Sequence, residues 1–264
     1  MIISIIGYGH ISKAICQGLL SNQNFELQVS APSLTTALSF SRLSTHSDNL
    51  AIVPDAQILI LAVKPAQMAT VLTEISPHLQ PSCLVISLAA GLDLSWFSEH
   101  LPEKTPLVRA MPNLAAACNQ SATPLFANQW VNPQHYADAS AVFKQCGQVS
   151  WLQCEEDLDI ITALSGSGLA YLFLFAQAMS ESAITLGLNT EVADSFTLQT
   201  LNGAASLASQ PDQNFAGLLK KITSEAGTTA AALAVFTQHH LTNTVLTAMQ
   251  AAVARSKTLR KEET

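Results

Sequence analysis

The chain has 264 residues, of which 48% are hydrophobic and only 12% charged, enough apolar material for one large domain or two ordinary ones. A formal net charge of −7 and a pI near 5.4 argue against a phosphate-backbone partner, so nucleic acid is not expected. Mean hydropathy of +0.28 points to a well-buried protein with little disorder.

The first part of the chain alternates strand-like and helix-like segments. IISII (2–6) is a nearly continuous apolar run, as expected of a strand buried on both faces. Ile11, Ala14, Ile15, Gly18 and Leu19 then recur at helical spacing. FELQVS (25–30) is the next strand, and ILILAV (58–63) and CLVISLA (83–89) read as central parallel strands with helical segments between them. PLVRAM (106–111) and ATPLF (122–126) complete the sheet, and HYADASAVFKQC (135–146) reads as a helix. This alternation predicts a doubly wound, Rossmann-like α/β domain. After Glu155-Glu156-Asp157 the strand signals stop and alanine-rich helical periodicity continues to the end. The expected division is therefore an α/β domain over 1–154 and an all-α domain over 155–264. No Lys or Arg occurs between Lys144 and Lys220, which suggests helices packed against something other than water, such as a second subunit. The tail RSKTLRKEET (255–264) reads as a solvated helix end.

The five cysteines (Cys16, Cys83, Cys118, Cys146 and Cys154) are odd in number and form no CxxC pair, and Cys16 and Cys83 lie in apolar periodic runs that make them core thiols. The seven histidines show no metal-binding spacing, so no metal is expected. The chain opens directly on a strand-like run, and no apolar stretch reads as long and uninterrupted enough to span a bilayer. A soluble, cytoplasmic setting without a membrane partner is the expectation.

Seven stretches bear on chemistry. In IIGYGHISKAI (5–15), Gly7 and Gly9 fall between the first strand and its helix. Gly7 permits the tight turn and Gly9 lets a dinucleotide pyrophosphate approach the helix N-terminus. Ser12 stands at the third position of that fingerprint, and Ala14 supplies a small residue for helix–strand packing. The second strand ends in VSAPS (29–33) without the acidic residue that reads a ribose diol, so Ser30 and Ser33 favour NADPH, with NADH as an alternative. LAVKPAQM (61–68) and SLAAGL (87–92) follow central strands, where ligands of open α/β sheets bind. Lys64 is either a phosphate contact or a solvated lysine, Pro65 suits a first helical position, and the Pro-Asn of RAMPN (109–113) fits a simple turn. In LSGSGLAYLFLF (164–175), Gly166 and Gly168 open an apolar helix where each costs about 1 kcal/mol relative to alanine. Either close packing or a ligand compensates. Finally, TSEAGTT (223–229) places hydroxyls and a glycine before an alanine-rich helix, either as a helix start or as a small-anion site built from free backbone N–H groups.

Assembled in this order, IIGYGHISKAI, SAPS, LAVKPAQM, SLAAGL, VRAMPN, ALSGSGLAYLFLF, TSEAGTTAAALAV and AAVARSKTL resemble the pyrroline-5-carboxylate reductase family over nearly the full length. The resemblance implies a Rossmann domain that binds the dinucleotide, followed by a helical domain that binds substrate and through which subunits dimerise. It implies reduction of the cyclic imine 1-pyrroline-5-carboxylate to L-proline by NAD(P)H. Gly7, Gly9, His10 and Ile11 would then surround the pyrophosphate, and Ser30, Pro32, Ser33 and Asn49 would hold the adenosine end. Val63, Lys64, Pro65, Ala89 and Ala90 would follow the nicotinamide half. Backbone N–H groups around Ser224, Gly227 and Thr228 would bind the substrate carboxylate, and the Thr229 hydroxyl would sit near the ring nitrogen.

The departures cluster on the substrate side. The family's loop usually reads TSPGGTT, and Glu225 and Ala226 stand where it has Pro and Gly. Leu169 replaces the proline of GSGPAY, and MPNLA (111–115) lacks the customary Thr-Pro. Another small imine or a hydroxy acid as substrate, or a catalytically weak nucleotide-binding paralogue, stays open on the sequence.

Overall fold

The computed structural model describes residues 1–34, 39–40 and 42–262. They form two compact units: Met1–Gly166 together with Ala252–Thr264, and Ser167–Ala251. The domain boundary read at 154/155 thus lies ahead of the point, after Gly166, at which the units separate. The end of the chain returns to the first unit, where the Ser256 hydroxyl donates to Asp159 Oδ1 at 2.6 Å in a buried contact. The tail is therefore not merely a solvated helix end: Ser256 is buried, and the last two residues lie outside those described.

The first unit is a sheet with helices. Its strands are β1 (Ile2–Ile6), β2 (Glu26–Ser30), β3 (Ser39–Phe40), β4 (Leu43–His46), β5 (Ile58–Leu61), β6 (Leu84–Ser87), β7 (Leu107–Ala110), β8 (Ser121–Ala127) and β9 (Gly147–Trp151). Among the described residues they pair in the order β3-β4-β2-β1-β5-β6-β7-β8-β9, parallel except at β3–β4 and β7–β8. Its main helices are α1 (His10–Leu19), α2 (Pro65–Ile75), α3 (Leu94–Ser98) and α4 (Pro133–Lys144). The continuous apolar runs form strands because both sheet faces are covered. Ile58 and Ile60 of β5 join Ile3, Ile15, Leu19 and Phe143 in one core cluster, whereas Leu59 and Leu61 join Met68, Leu72, Val85 and Phe97 in the other. Successive side chains of one strand thus feed opposite cores, as the two-residue period requires.

Sequence periodicity misses β4 and β9. Both are short with alternating partial exposure, so their place in the sheet comes from backbone pairing rather than from hydropathy. From β1 the chain passes to β2 on one side and later to β5 on the other. The sheet reverses direction there, and a crevice opens beyond the strand ends.

Beyond β9 come α5 (Asp157–Ile161), a π turn (Thr162–Gly166) and α6 (Gly168–Thr185). The helical run Asp157–Thr185 is long and apolar enough, by length and composition alone, to cross a membrane. That corrects the expectation that no such stretch exists. The serines and glycines of LSGSG break the apolar run on paper, but the π turn carries the backbone through them. Added Cβ atoms would meet only an ordinary contact with Thr162 Cγ2 at Gly166 and nothing within 4 Å at Gly168, so packing within the chain demands neither glycine.

The second unit holds α6, α7 (Thr190–Ala208), α8 (Phe215–Ile222), α9 (Thr228–Gln238) and the first part of α10 (Leu241–Glu262). Within it, α6 packs on α7 around Ser180 and Ala193, the buried residues of those two helices. The Ser180 hydroxyl donates to Asp194 there. Phe173, Leu174, Phe196 and Phe215 all remain exposed.

Candidate active site

The crevice between the β1 and β5 ends is a cleft of about 650 Å³, wholly within the first unit. Gly7 and Gly9 form its floor, each for a different physical reason. Gly7 has φ of +101°, and a Cβ there would fall 2.7 Å from Ala62 O, so no side chain fits. Gly9 is the N-cap of α1 and has an ordinary φ of −82°. A Cβ on Gly9 would meet nothing within 4 Å, because it would project into the open cleft. No side chain caps α1, so its first-turn N–H groups face an approaching anion. These features fit a dinucleotide pyrophosphate. Ser12, at the third fingerprint position, is fully buried, and its hydroxyl has no hydrogen-bond partner.

Of the cofactor residues expected from the sequence, Gly7, Gly9, Ser30, Pro32, Ser33, Asn49, Val63 and Lys64 all line this cleft. His10 and Ile11 begin α1 directly after Gly9, and Pro65 opens α2 directly after Lys64. Ala89 and Ala90 follow β6 and are not among the cleft-lining residues. Ala89 is buried, and its N–H is held by Ser87 Oγ at 3.2 Å.

One wall of the cleft runs on beyond the motif LAVKPAQM. Lys64, Gln67, Thr70, Val71 and Glu74 recur at helical spacing along α2, and all of them line it. That period is legible in the sequence, but which face of α2 lines the cleft is not. At the end of β2, the Ser30 hydroxyl donates to Asn49 Oδ1 at 2.7 Å. Asn49 Nδ2 donates in turn to Glu74 Oε2 at 2.8 Å. Tyr8 also lines the cleft. Burial first, and the neighbouring Cys16 second, push its phenol above the ordinary value, so it is a neutral hydroxyl.

Two further residues of the first unit have partners that their sequence context does not reveal. Arg109 of β7 is 2% exposed and pairs with Glu155 at 2.7 Å, while the same carboxylate oxygen accepts the Leu94 N–H at 2.8 Å. Asn113, read as part of a simple turn, is 8% exposed. Its Oδ1 accepts the Ala115 N–H, its own N–H donates to Ser121 Oγ, and its Nδ2 donates to Ser165 O of the π turn at 3.0 Å.

In the second unit, TSEAGTT folds as a tight turn into α9. Gly227 is the N-cap with no side-chain cap, and its N–H donates to Ser224 O at 3.2 Å. A Cβ on Gly227 would lie 2.3 Å from Ser224 Oγ and 3.2 Å from Ser224 O, so a side chain there would make the Ser224 hydroxyl turn aside and crowd its carbonyl. Ala226 instead takes the left-handed conformation, with φ of 57°. A residue with a Cβ holds it at a cost of roughly 1–2 kcal/mol, and this is the position where the family's usual loop has glycine. Ser224, Glu225, Ala226 and Thr228 are exposed, whereas Thr229 is half-buried. The turn therefore presents the first amides of α9 to solvent with no carboxylate capping them.

Residues 155–259 match the family model for pyrroline-5-carboxylate reductase dimerisation, and residues 2–91 match that for coenzyme F420-dependent NADP oxidoreductase. The chain is 36% identical to pyrroline-5-carboxylate reductase of Vibrio alginolyticus, over 98% of this chain and 97% of that protein. The chain belongs to the pyrroline-5-carboxylate reductase family. Another relative is the Pseudomonas aeruginosa pyrroline-5-carboxylate reductase, 34% identical over 98% of this chain and 97% of that one. Among solved structures, the Plasmodium falciparum pyrroline carboxylate reductase with NADP bound superposes with a TM-score of 0.89 at 28% identity, covering 98% of this chain and 97% of that one. The Coxiella burnetii member gives 0.87 at 34% identity, covering 97% of each chain. Membership of that family extends through the helical part, where the departures from the family loop concentrate.

Proposed function

We propose that this chain reduces 1-pyrroline-5-carboxylate to L-proline, with NADPH as the preferred reductant and NADH usable. The observation that carries the reading is the uncapped N-terminus of α9, behind TSEAGTT, in the same chain as a dinucleotide cleft shaped by Gly7 and Gly9. NADPH is favoured because the turn after β2 holds Ser33 and carries no carboxylate. The dinucleotide is held by the α1 N-terminus at its pyrophosphate, by Ser30, Ser33 and Asn49 at its adenosine end, and by Val63 and Lys64 towards the nicotinamide. When bound, the reduced nicotinamide supplies the hydride.

The substrate is a ring with one carboxylate and one C=N bond. The Thr228 amide at the uncapped start of α9, together with the Ser224 hydroxyl, binds the carboxylate without an arginine, helped by the helix dipole, while Gly227, whose own N–H is held by Ser224 O, shapes the turn. Hydride adds to the imine carbon, the C=N π pair moves to nitrogen, and nitrogen ends the reaction with one proton more than the neutral imine. The Thr229 hydroxyl hydrogen-bonds that nitrogen and passes it a proton from water. Glu225 is exposed, so its carboxylate is free to turn into solvent and need not face the substrate. Orientation of the ring towards the nicotinamide supplies much of the rate.

A dimer is the minimal working unit, formed through the helical part that matches the dimerisation model. A second copy, rather than lipid, covers the apolar run Asp157–Thr185, and the enzyme works in the cytoplasm. No nucleic acid or metal takes part.

NADPH oxidation followed with 1-pyrroline-5-carboxylate tests the reading. The parent chain turns over, and Thr229→Ala lowers kcat by about a hundredfold with a smaller change in KM. Tight NADPH binding with no turnover by the parent chain removes the assigned reaction. Unchanged kcat in Thr229→Ala removes only the role given to that hydroxyl.

A further inference from the structure

We propose that Glu74, acting through Asn49, sets how strongly the chain prefers NADPH over NADH, by weakening the hold on the 2′-phosphate. The inference rests on the dinucleotide reading of the cleft and goes beyond it, to a residue outside every motif singled out above. The adenosine ribose of a Rossmann site lies at the end of the second strand, which here is Ser30. Two hydrogen bonds define that end: Ser30 O–H to Asn49 Oδ1, and Asn49 N–H to Glu74 Oε2. The direction of the relay is forced, because turning the Asn49 amide over would set its oxygen against the carboxylate.

The consequence is a donor count. The Ser30 proton is committed to Asn49, so the Ser30 oxygen is left as an acceptor. One Asn49 N–H is committed to Glu74, leaving one free. A ribose 2′-hydroxyl can donate to Ser30 and accept from Asn49, satisfying both. A 2′-phosphate only accepts; it gains the single free N–H and meets the Ser30 lone pairs.

Charge acts in the same direction. The charged residues lining the cleft, among those described, are Lys64 and Glu74. They occupy opposite ends of α2, ten residues and so roughly 15 Å of helix apart, too far for the ammonium to neutralise the carboxylate at the ribose. Glu74 also lies in the last turn of α2, where the helix dipole is negative. A phosphate dianion one asparagine away from this carboxylate is repelled, by an amount that salt screens. Glu74 is therefore a positioning residue. It orients Asn49 and fixes the local field without touching the reacting atoms.

The test titrates the full-length protein with NADPH and with NADH, by nucleotide fluorescence, for the parent, Glu74→Gln and Glu74→Lys. Glu74→Gln lowers the NADPH Kd by roughly three- to tenfold and changes the NADH Kd by less than about twofold. Glu74→Lys moves the ratio further in the same direction. Both effects on NADPH shrink as salt is raised from about 20 mM to about 500 mM, which a merely structural role would not produce. Equal shifts for both nucleotides, an unchanged ratio in both variants, or a change insensitive to salt overturns the inference while leaving the dinucleotide site in place. A parent chain that binds neither nucleotide overturns the site and the inference together.

Discussion

In the first unit Leu59, Ile60, Phe97 and Phe143 are fully buried, whereas in the second Phe173, Leu174, Phe196 and Phe215 stand 67%, 68%, 70% and 83% exposed. Both sets of side chains are equally apolar. The first has a sheet with two covered faces, and the second consists of helices whose own packing buries little more than Ser180 and Ala193. One unit completes its core within a single chain, and the other leaves apolar side chains exposed, which the proposed second copy would cover. An apolar surface of this extent on a lone chain marks an interface. It also explains the missing cations between Lys144 and Lys220, since charges are depleted where a surface becomes interior.

The sharpest way to break this contrast is to charge the exposed face. Phe173→Glu with Phe196→Glu should raise the dimer dissociation constant by more than about a thousandfold, read by sedimentation as a monomer, and abolish turnover. NADPH binding by the first unit should stay within about threefold of the parent. A double variant that still sediments as a dimer would place the interface elsewhere.

Within the self-sufficient unit, a weak point is the buried ion pair of Arg109 with Glu155. Glu155→Ala leaves the Arg109 guanidinium 2% exposed and unpaired, with a cost of roughly 3–5 kcal/mol in urea denaturation. Arg109→Met should cost less, because the partner left behind is partly solvated and a long apolar side chain fills the space.

Alkaline pH should also act on the first unit, which holds all five cysteines. Burial raises the Cys16, Cys83 and Cys146 thiols to about 12, with Cys146 adding to the shift of Cys16. These thiols stay protonated in the folded chain while the unfolded chain ionises them near pH 9. Stability is thus unaffected below about pH 9 and falls as pH rises from there towards 12, by about 1.4 kcal/mol per pH unit for each thiol. Cys83→Ala should flatten the slope of unfolding free energy against pH by one thiol's share, and an unchanged slope would mean that Cys83 is not buried in solution.

The smallest expected effect belongs to the second unit. Ala226→Gly relieves the left-handed conformation and should stabilise that unit by about 0.5–1 kcal/mol. Calorimetry would show the gain, and a loss of stability would mean that the turn adopts another backbone in solution.

The α/β class was legible because IISII, ILIL and LVIS are too uniformly apolar to be half-exposed strands, and the floor of the cleft because Gly-x-Gly after such a strand has few other uses. The polar strands β4 and β9 were illegible, since backbone pairing and not hydropathy holds them. Asn49 entered only through the family resemblance. Glu74 gave no local sign, because an exposed glutamate near the end of an amphipathic helix looks like any solvated charge.

Local patterning was thus enough for the type and order of most elements, the glycine turn at 7–9 and the uncapped entry to α9, since these depend on residues within a turn or two of each other. Topology alone decided which distant groups meet: Asn49 with Glu74 across 25 positions, Arg109 with Glu155 across 46, Asn113 with Ser165 across 52, and Asp159 with Ser256 across 97. A repeat of two or 3.6 residues tells a side chain which face it occupies, but the neighbour on that face is chosen only when strands pair and helices pack.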